Sequence, residues 1–184
     1  KFAIQGCYWP PQYVVFDGLT LEPLVVEGVL GKSIDGDDLD EVRVASIVAV
    51  PGATEGALAL KESGHVGIVD YAKPGFPMVS RIAAERFLHD GGLDATGRYF
   101  LVAANATNRM VAIDLKEHKL AASFETGVLP HPGRGANWID PTFGRVGATS
   151  HMGENTLAIF GADPEGQPQN AWKVVREVTL PAAG

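Results

Sequence analysis

Three stretches of this chain repeat one pattern at a nearly constant interval, and that interval limits the folds open to it. Glu62-Ser-Gly-His-Val-Gly-Ile-Val-Asp70, Ala106-Thr-Asn-Arg-Met-Val-Ala-Ile-Asp114 and Met152-Gly-Glu-Asn-Thr-Leu-Ala-Ile-Phe160 each join a turn bearing Gly or Asn to an alternating apolar strand. Asp70 and Asp114 stand 44 residues apart, and Asn108 and Asn155 stand 47 apart. A weaker copy ends at Asp17. Further short runs rich in Val, Ile and Phe cover 13–17, 42–50, 98–103 and 157–160, bounded by Gly, Pro, Asn and Asp. No segment keeps a helical period over four turns. The stretch from Arg81 to Leu88 passes for a short helix, but it falls where the repeat calls for an outer strand.

Four-stranded units recurring every 40 to 50 residues or so are the mark of β-propeller blades. One four-stranded sheet cannot bury both of its faces, so successive sheets stack and share a core. The expected fold is therefore all-β, a β-propeller of which this chain covers roughly three and a half to four blades. Residues 42–84, 86–127 and 131–179 are expected to form one blade each, and residues 1–30 contribute strands of a fourth. Lys1 opens inside a strand, so the chain reads as part of a single longer propeller domain. An incomplete ring leaves sheet edges that a closed one hides.

Composition narrows the function. Hydrophobic residues make up 46% and charged residues 20% of the chain, which is globular rather than disordered. A formal charge of −7 argues against nucleic acid, whose phosphates call for clustered Lys and Arg. No apolar run reaches the roughly 20 residues of a membrane helix. Cys7 is the single cysteine, so the chain has no internal disulfide and no CxxCH haem-attachment site; it reads as a buried small side chain. The acidic loop 35–41 lacks the spacing of a calcium loop and is expected to be solvated. There is no Walker loop, no dinucleotide fingerprint and no GxSxG context for Ser150-His151.

The chemistry-bearing candidates are two histidines. His89 lies in Phe87-Leu-His-Asp-Gly-Gly92 and His131 in Pro130-His-Pro-Gly-Arg-Gly-Ala-Asn137. They are 42 residues apart, close to one repeat, and both sit at the entry to an innermost strand. Equivalent positions on adjacent blades aim at the same space, so the imidazoles are expected to converge. The flanking glycines would let backbone approach a large flat ligand. Taken singly, each histidine better suits a turn cap or plug. Arg134 suits either a carboxylate of an anionic ligand or an ordinary salt bridge. The aromatic stretch from Tyr8 to Tyr13 suits either a core or the wall of a macrocycle site. His65 and His118 are expected to be exposed in hairpin turns, and His151 to be structural, in the outer half of the third blade.

At these residues the sequence resembles the haem d1 domain of cytochrome cd1 nitrite reductases. The likeness is carried by the two histidine motifs, Arg98-Tyr-Phe, Ala103-Ala-Asn105, Thr149-Ser-His-Met-Gly153, Ala171-Trp-Lys and Tyr8-Trp-Pro-Pro-Gln-Tyr-Val14 with Asp17-Gly. It weakens at 31–41 and after Thr179. The resemblance implies an eight-bladed propeller holding haem d1 and its iron on the axis. The activity it implies is reduction of nitrite to nitric oxide in denitrification. His89 and His131 match the two distal histidines that supply protons. Arg134 matches an arginine that binds a haem d1 carboxylate, and Tyr8 a haem-contacting tyrosine. Also implied are a small c-type cytochrome or cupredoxin as electron donor, a homodimer and a periplasmic location.

Departures from the pattern are visible. The proximal histidine of the iron and the cytochrome c domain with its haem c lie N-terminal to this segment in the family. Leu93 stands where typical reductases carry Trp. Relatives that bind haem d1 during its biogenesis, as precursor dehydrogenase or carrier, are the alternative reading. Residues 1–184 alone are expected to be inactive, since the proximal ligand and about half the ring lie outside them.

Overall fold

The computed structural model describes residues 1–183, and its regular elements are all β-strands but for one 3-10 turn at Asn105–Thr107. It divides into two compact units, one from Lys1 to Leu88 and the other beginning at His89.

The first unit holds two antiparallel sheets. β1 (Phe2–Gly6), β2 (Gln12–Asp17) and β3 (Pro23–Gly28) form one. β4 (Val44–Ala49), β5 (Glu55–Leu60), β6 (His65–Asp70) and β7 (Met78–Ala83) form the other, in sequence order. Tyr13 and Val15 of β2 pack with Val44, Leu58, Leu60 and Val69 of the second sheet, so the two sheets share one core. Burial of a leucine such as Leu58 contributes about 2 kcal/mol. Tyr13 is 1% exposed, and its hydroxyl donates to the Phe76 carbonyl at 2.7 Å. Burial, with Glu27 nearby, pushes its phenol up to about 12.

In the second unit, β8 (Leu88–Leu93), β9 (Tyr99–Ala104), β10 (Arg109–Asp114) and β11 (Lys119–Glu125) form one sheet. β12 (Pro130–Asp140), β13 (Gly144–His151), β14 (Thr156–Gly161) and β15 (Val174–Thr179) form the next. Leu101, Ala103, Met110, Ala112 and Phe124 of the first sheet pack against Phe160 of β14 and Trp172. β8 and β12 are edge strands of their sheets.

The four sheets repeat in detail. The pairing of the last two strands shifts register at the same place in each: Val15/Phe16, Ile68/Val69, Ala112/Ile113 and Ile159/Phe160. Such an extra residue bends the outer strand and sharpens its twist. This common position aligns β1–β3 with the second to fourth strands of the other sheets. The repeated aspartates follow the first three shifts directly, and each closes a turn with its carboxylate. Asp17 accepts from the backbone N–H of Leu19 and Thr20, Asp70 from Ala72, and Asp114 from Lys116 and Glu117.

The strand spans agree with the sequence expectation: 44–83, 88–125 and 130–179 hold four strands each, and 2–28 holds three. Met78–Ala83 is the outer strand that the repeat calls for. Four expectations need correction. Cys7 is half-buried rather than buried, and His118 half-buried rather than exposed. His65 is half-buried rather than exposed, because it opens β6 beside Ser63; burial, with Arg81 nearby, lowers its pKa. His151 ends the second strand of its sheet, not the outer half, and is 2% exposed. The acidic loop is exposed, as expected, and carries ion pairs: Arg86 lies 3.6 Å from Asp35 and 3.1 Å from Asp37, and Lys32 lies 2.8 Å from Asp38.

Asp114 is the most heavily engaged of the turn aspartates. Its Oδ2 accepts from Arg98 Nη2 at 2.8 Å and Nε at 3.2 Å, while Oδ1 takes two backbone N–H groups. Burial pushes its carboxyl up, but the Arg98 and backbone hydrogen bonds outweigh that and hold it below the ordinary value. A depressed carboxyl stabilises the fold above its unfolded pKa, and that contribution fades as pH falls through the folded value. Asp114→Ala is expected to lower stability by about 2–3 kcal/mol near neutral pH. In urea titrations the difference from the parent protein should shrink below about pH 4.

Candidate functional site

The site lies wholly in the second unit, where β8 and β12 bring two sequence motifs together. His89 is the second residue of β8 and His131 the second of β12. Their ring centroids are 5.1 Å apart, with 42° between the planes. The convergence expected from the repeat spacing is therefore present. Both rings are partly open, at 26% and 38% side-chain exposure.

β12 reaches this position through a large irregularity. His131 pairs with Ser150, but the next paired residue is Ala136, opposite Ala148. Residues 132–135 bulge out of the ladder between them. Three interactions hold the bulge against β8. The Asn137 amide donates to the Leu93 carbonyl at 2.8 Å, the Gly133 N–H donates to Asp90 Oδ2, and the Arg134 backbone lies directly over Gly92. A Cβ on Gly92 would collide with the Arg134 carbonyl oxygen. This corrects one expectation: the tight space at Gly92 takes protein backbone, not a flat ligand. Gly133 and Gly135 do face open space, and each adopts positive φ, at +61° and +74°.

Asp90 sits between the histidines. Its Oδ1 is 3.3 Å from His89 Nδ1, and its Oδ2 is 3.3 Å from His131 Nδ1. The donor atoms of the three side chains lie within 4.8 Å of one another. Asp90 belongs to the first histidine motif, yet nothing in the sequence pattern gave it a role. Strand alternation sends neighbours to opposite faces, so periodicity alone separates it from His89. The usable signal was its chemistry, an acid beside a candidate proton donor.

Arg134 is exposed on the bulge, three residues after His131. Ser150 serves the backbone: its hydroxyl donates to the His131 carbonyl at 2.8 Å. His151 Nδ1 lies 3.1 Å from both the carbonyl and the hydroxyl oxygen of Thr156, which accords with a structural role. Tyr8 belongs to the first unit, in the connection between β1 and β2, with the Arg43 guanidinium 5.6 Å from its ring. Its stretch divides between the two uses expected of it, for Tyr13 is core while Tyr8 and Trp9 are exposed.

Residues 1–184 match the family model described as the cytochrome D1 heme domain. The chain belongs to that family. It is 44% identical over 189 residues to a nitrite reductase of Stutzerimonas stutzeri, covering all of this chain and 34% of that protein. It thus spans about a third of that relative's length. Among solved structures it is similar to the dihydro-heme d1 dehydrogenase NirN in complex with DHE, with a TM-score of 0.77 and 23% identity. That match covers all of this chain and 36% of that one. Kuenenia stuttgartiensis hydrazine synthase matches at a TM-score of 0.56 and 14% identity, over 74% of this chain and 38% of that one. These two likenesses concern the fold. Together with the four sheets they identify part of a β-propeller. Among the described residues no helix is long and apolar enough to cross a membrane.

Gly92 is where this family member's site is most sensitive to bulk. Gly92→Ala is expected to push the 132–135 bulge away and lower stability by about 1–3 kcal/mol. The change would register as a lower melting temperature and, in a crystal structure of the variant, as a broken Asn137–Leu93 hydrogen bond.

Proposed function

We propose that this chain is the distal part of the haem d1 site of a nitrite reductase that forms nitric oxide. The observation that carries the reading is the pair of half-open imidazoles 5.1 Å apart. Conversion of nitrite, with one electron and two protons, to nitric oxide and water needs proton donors beside a small anion. Two imidazoles side by side suit both tasks, since an imidazole ring can pass on a proton and hydrogen-bond an anion.

Haem d1, when bound, supplies the iron that takes nitrite and the electron that reduces it. The chain's residues fit that group in their donor chemistry: imidazoles for the nitrite side and an exposed guanidinium for a macrocycle carboxylate. His89 and His131 hold and release the protons. Arg134 anchors a haem d1 carboxylate from the bulge, and Tyr8 contacts the macrocycle. The proximal ligand, haem c, the electron-donating small cytochrome c or cupredoxin, the homodimer and the periplasmic location belong to the whole protein. So does the single eight-bladed ring of which this chain would be part. The likeness to a dihydro-heme d1 dehydrogenase keeps a haem d1 biogenesis role as the second reading, but 44% identity to a nitrite reductase favours the first.

In the full-length protein, His89→Ala and His131→Ala should each slow nitrite turnover by about a hundredfold, the scale of a lost general acid. Haem d1 should stay bound, as read from its visible spectrum. Unchanged turnover in both variants would remove the proton-donor assignment, and haem binding without turnover by the parent protein would favour biogenesis. Arg134→Ala should weaken haem d1 retention about tenfold in a competition titration, with His89 and His131 intact.

A further inference from the structure

A carboxylate facing two imidazoles constrains which ring nitrogens carry hydrogen. An ionised Asp has no proton to give, so a histidine nitrogen that meets it must carry the hydrogen. Asp90 faces both histidines through Nδ1 at 3.3 Å, one through each of its oxygens, as a hydrogen bond with His89 and at ion-pair distance from His131. It is the least exposed of the three side chains at 16%, and it has an anchor of its own in the Gly133 N–H. That N–H comes from the bulge, where a φ of +61° favours glycine.

We infer that Asp90 is the positioning residue of the pair. It holds both imidazoles with Nδ1–H toward itself and leaves both Nε2 atoms to the ligand. Protons are then gained and lost at Nε2, and each ring keeps the orientation in which Nε2 meets the substrate. The trio is neutral when one ring is protonated, so a single carboxylate suits one proton shared over two rings. A buried acid behind a proton-transferring imidazole acts through tautomer and orientation in the same way in hydrolytic triads. The inference rests on the nitrite reductase reading for its chemical purpose, but the geometry it asserts holds without that reading.

The test uses the full-length protein with Asp90→Asn, Asp90→Ala and Asp90→Glu, each checked for a parent-like melting transition. The first readout is the imidazole nitrogen NMR shifts of the haem-free chain, which distinguish the two tautomers. The parent should show Nδ1–H at both His89 and His131. Asp90→Ala should lose that preference at both. Asp90→Asn, which keeps the shape of Asp90 but offers one acceptor and one donor, should split the pair, with Nδ1–H at one ring and Nε2–H at the other. The second readout is nitrite turnover of the haem-loaded protein. There kcat should fall tenfold or more in the Asn and Ala variants, and Glu should recover part of the loss. Nε2–H without Nδ1–H at either histidine of the parent, or tautomers unchanged in Asp90→Ala, overturns the inference whatever the turnover shows. A parent that turns over no nitrite defeats the reductase reading alone, because the tautomer result stands apart from it.

Discussion

The backbone of residues 132–135 lies against β8 with no room for a side chain between, and the candidate site is organised by that approach. Gly92 makes it possible, since any Cβ there would meet the Arg134 carbonyl. Asn137 and Gly133 then fix it with hydrogen bonds to Leu93 and Asp90. Ser150 holds the His131 carbonyl from the other side. Two histidines on edge strands of different sheets thereby become a pair, and an acid that would otherwise be a surface side chain becomes their common neighbour. Several residues of the motifs read as haem-facing chemistry are thus devices for holding one backbone segment against another.

The same division runs through the wider fold. Trp172 stacks edge-on against Tyr99, with centroids 5.0 Å apart, and Ala103 and Ala104 are fully buried. Arg98 bridges Asp114 and Glu165. These residues carry much of the sequence likeness to the family, and their work is packing and turn closure. The turn aspartates explain the repeat in three of the four copies, where Asp17, Asp70 and Asp114 close the same tight turn after the same register shift.

Fold class and strand spans were legible because a period-two apolar pattern and Asp- or Gly-marked turns leave their trace in every copy. The convergence of His89 and His131 was legible from their spacing. The role of Asp90 was hidden because alternation along a strand says nothing of a partner strand that bulges by several residues. His65 was misread because its neighbours in sequence are charged and polar, while in the fold it opens β6 beside Ser63. Gly91 and Gly92 after His89 are places of close approach, while Gly133 and Gly135 are not, and composition cannot tell a ligand from the chain's own backbone.

His89 and His131 ride on separate sheets, and the gap between their rings is therefore a measure of how those sheets sit on each other. Phe160 and Trp172 fill the seam between the same two sheets, packed with Phe124 and Tyr99. A change of volume in that seam acts on the imidazoles like a shim under a hinge, altering their separation with no polar group touched. Tuning of the pair is thus open to apolar residues that never meet a ligand.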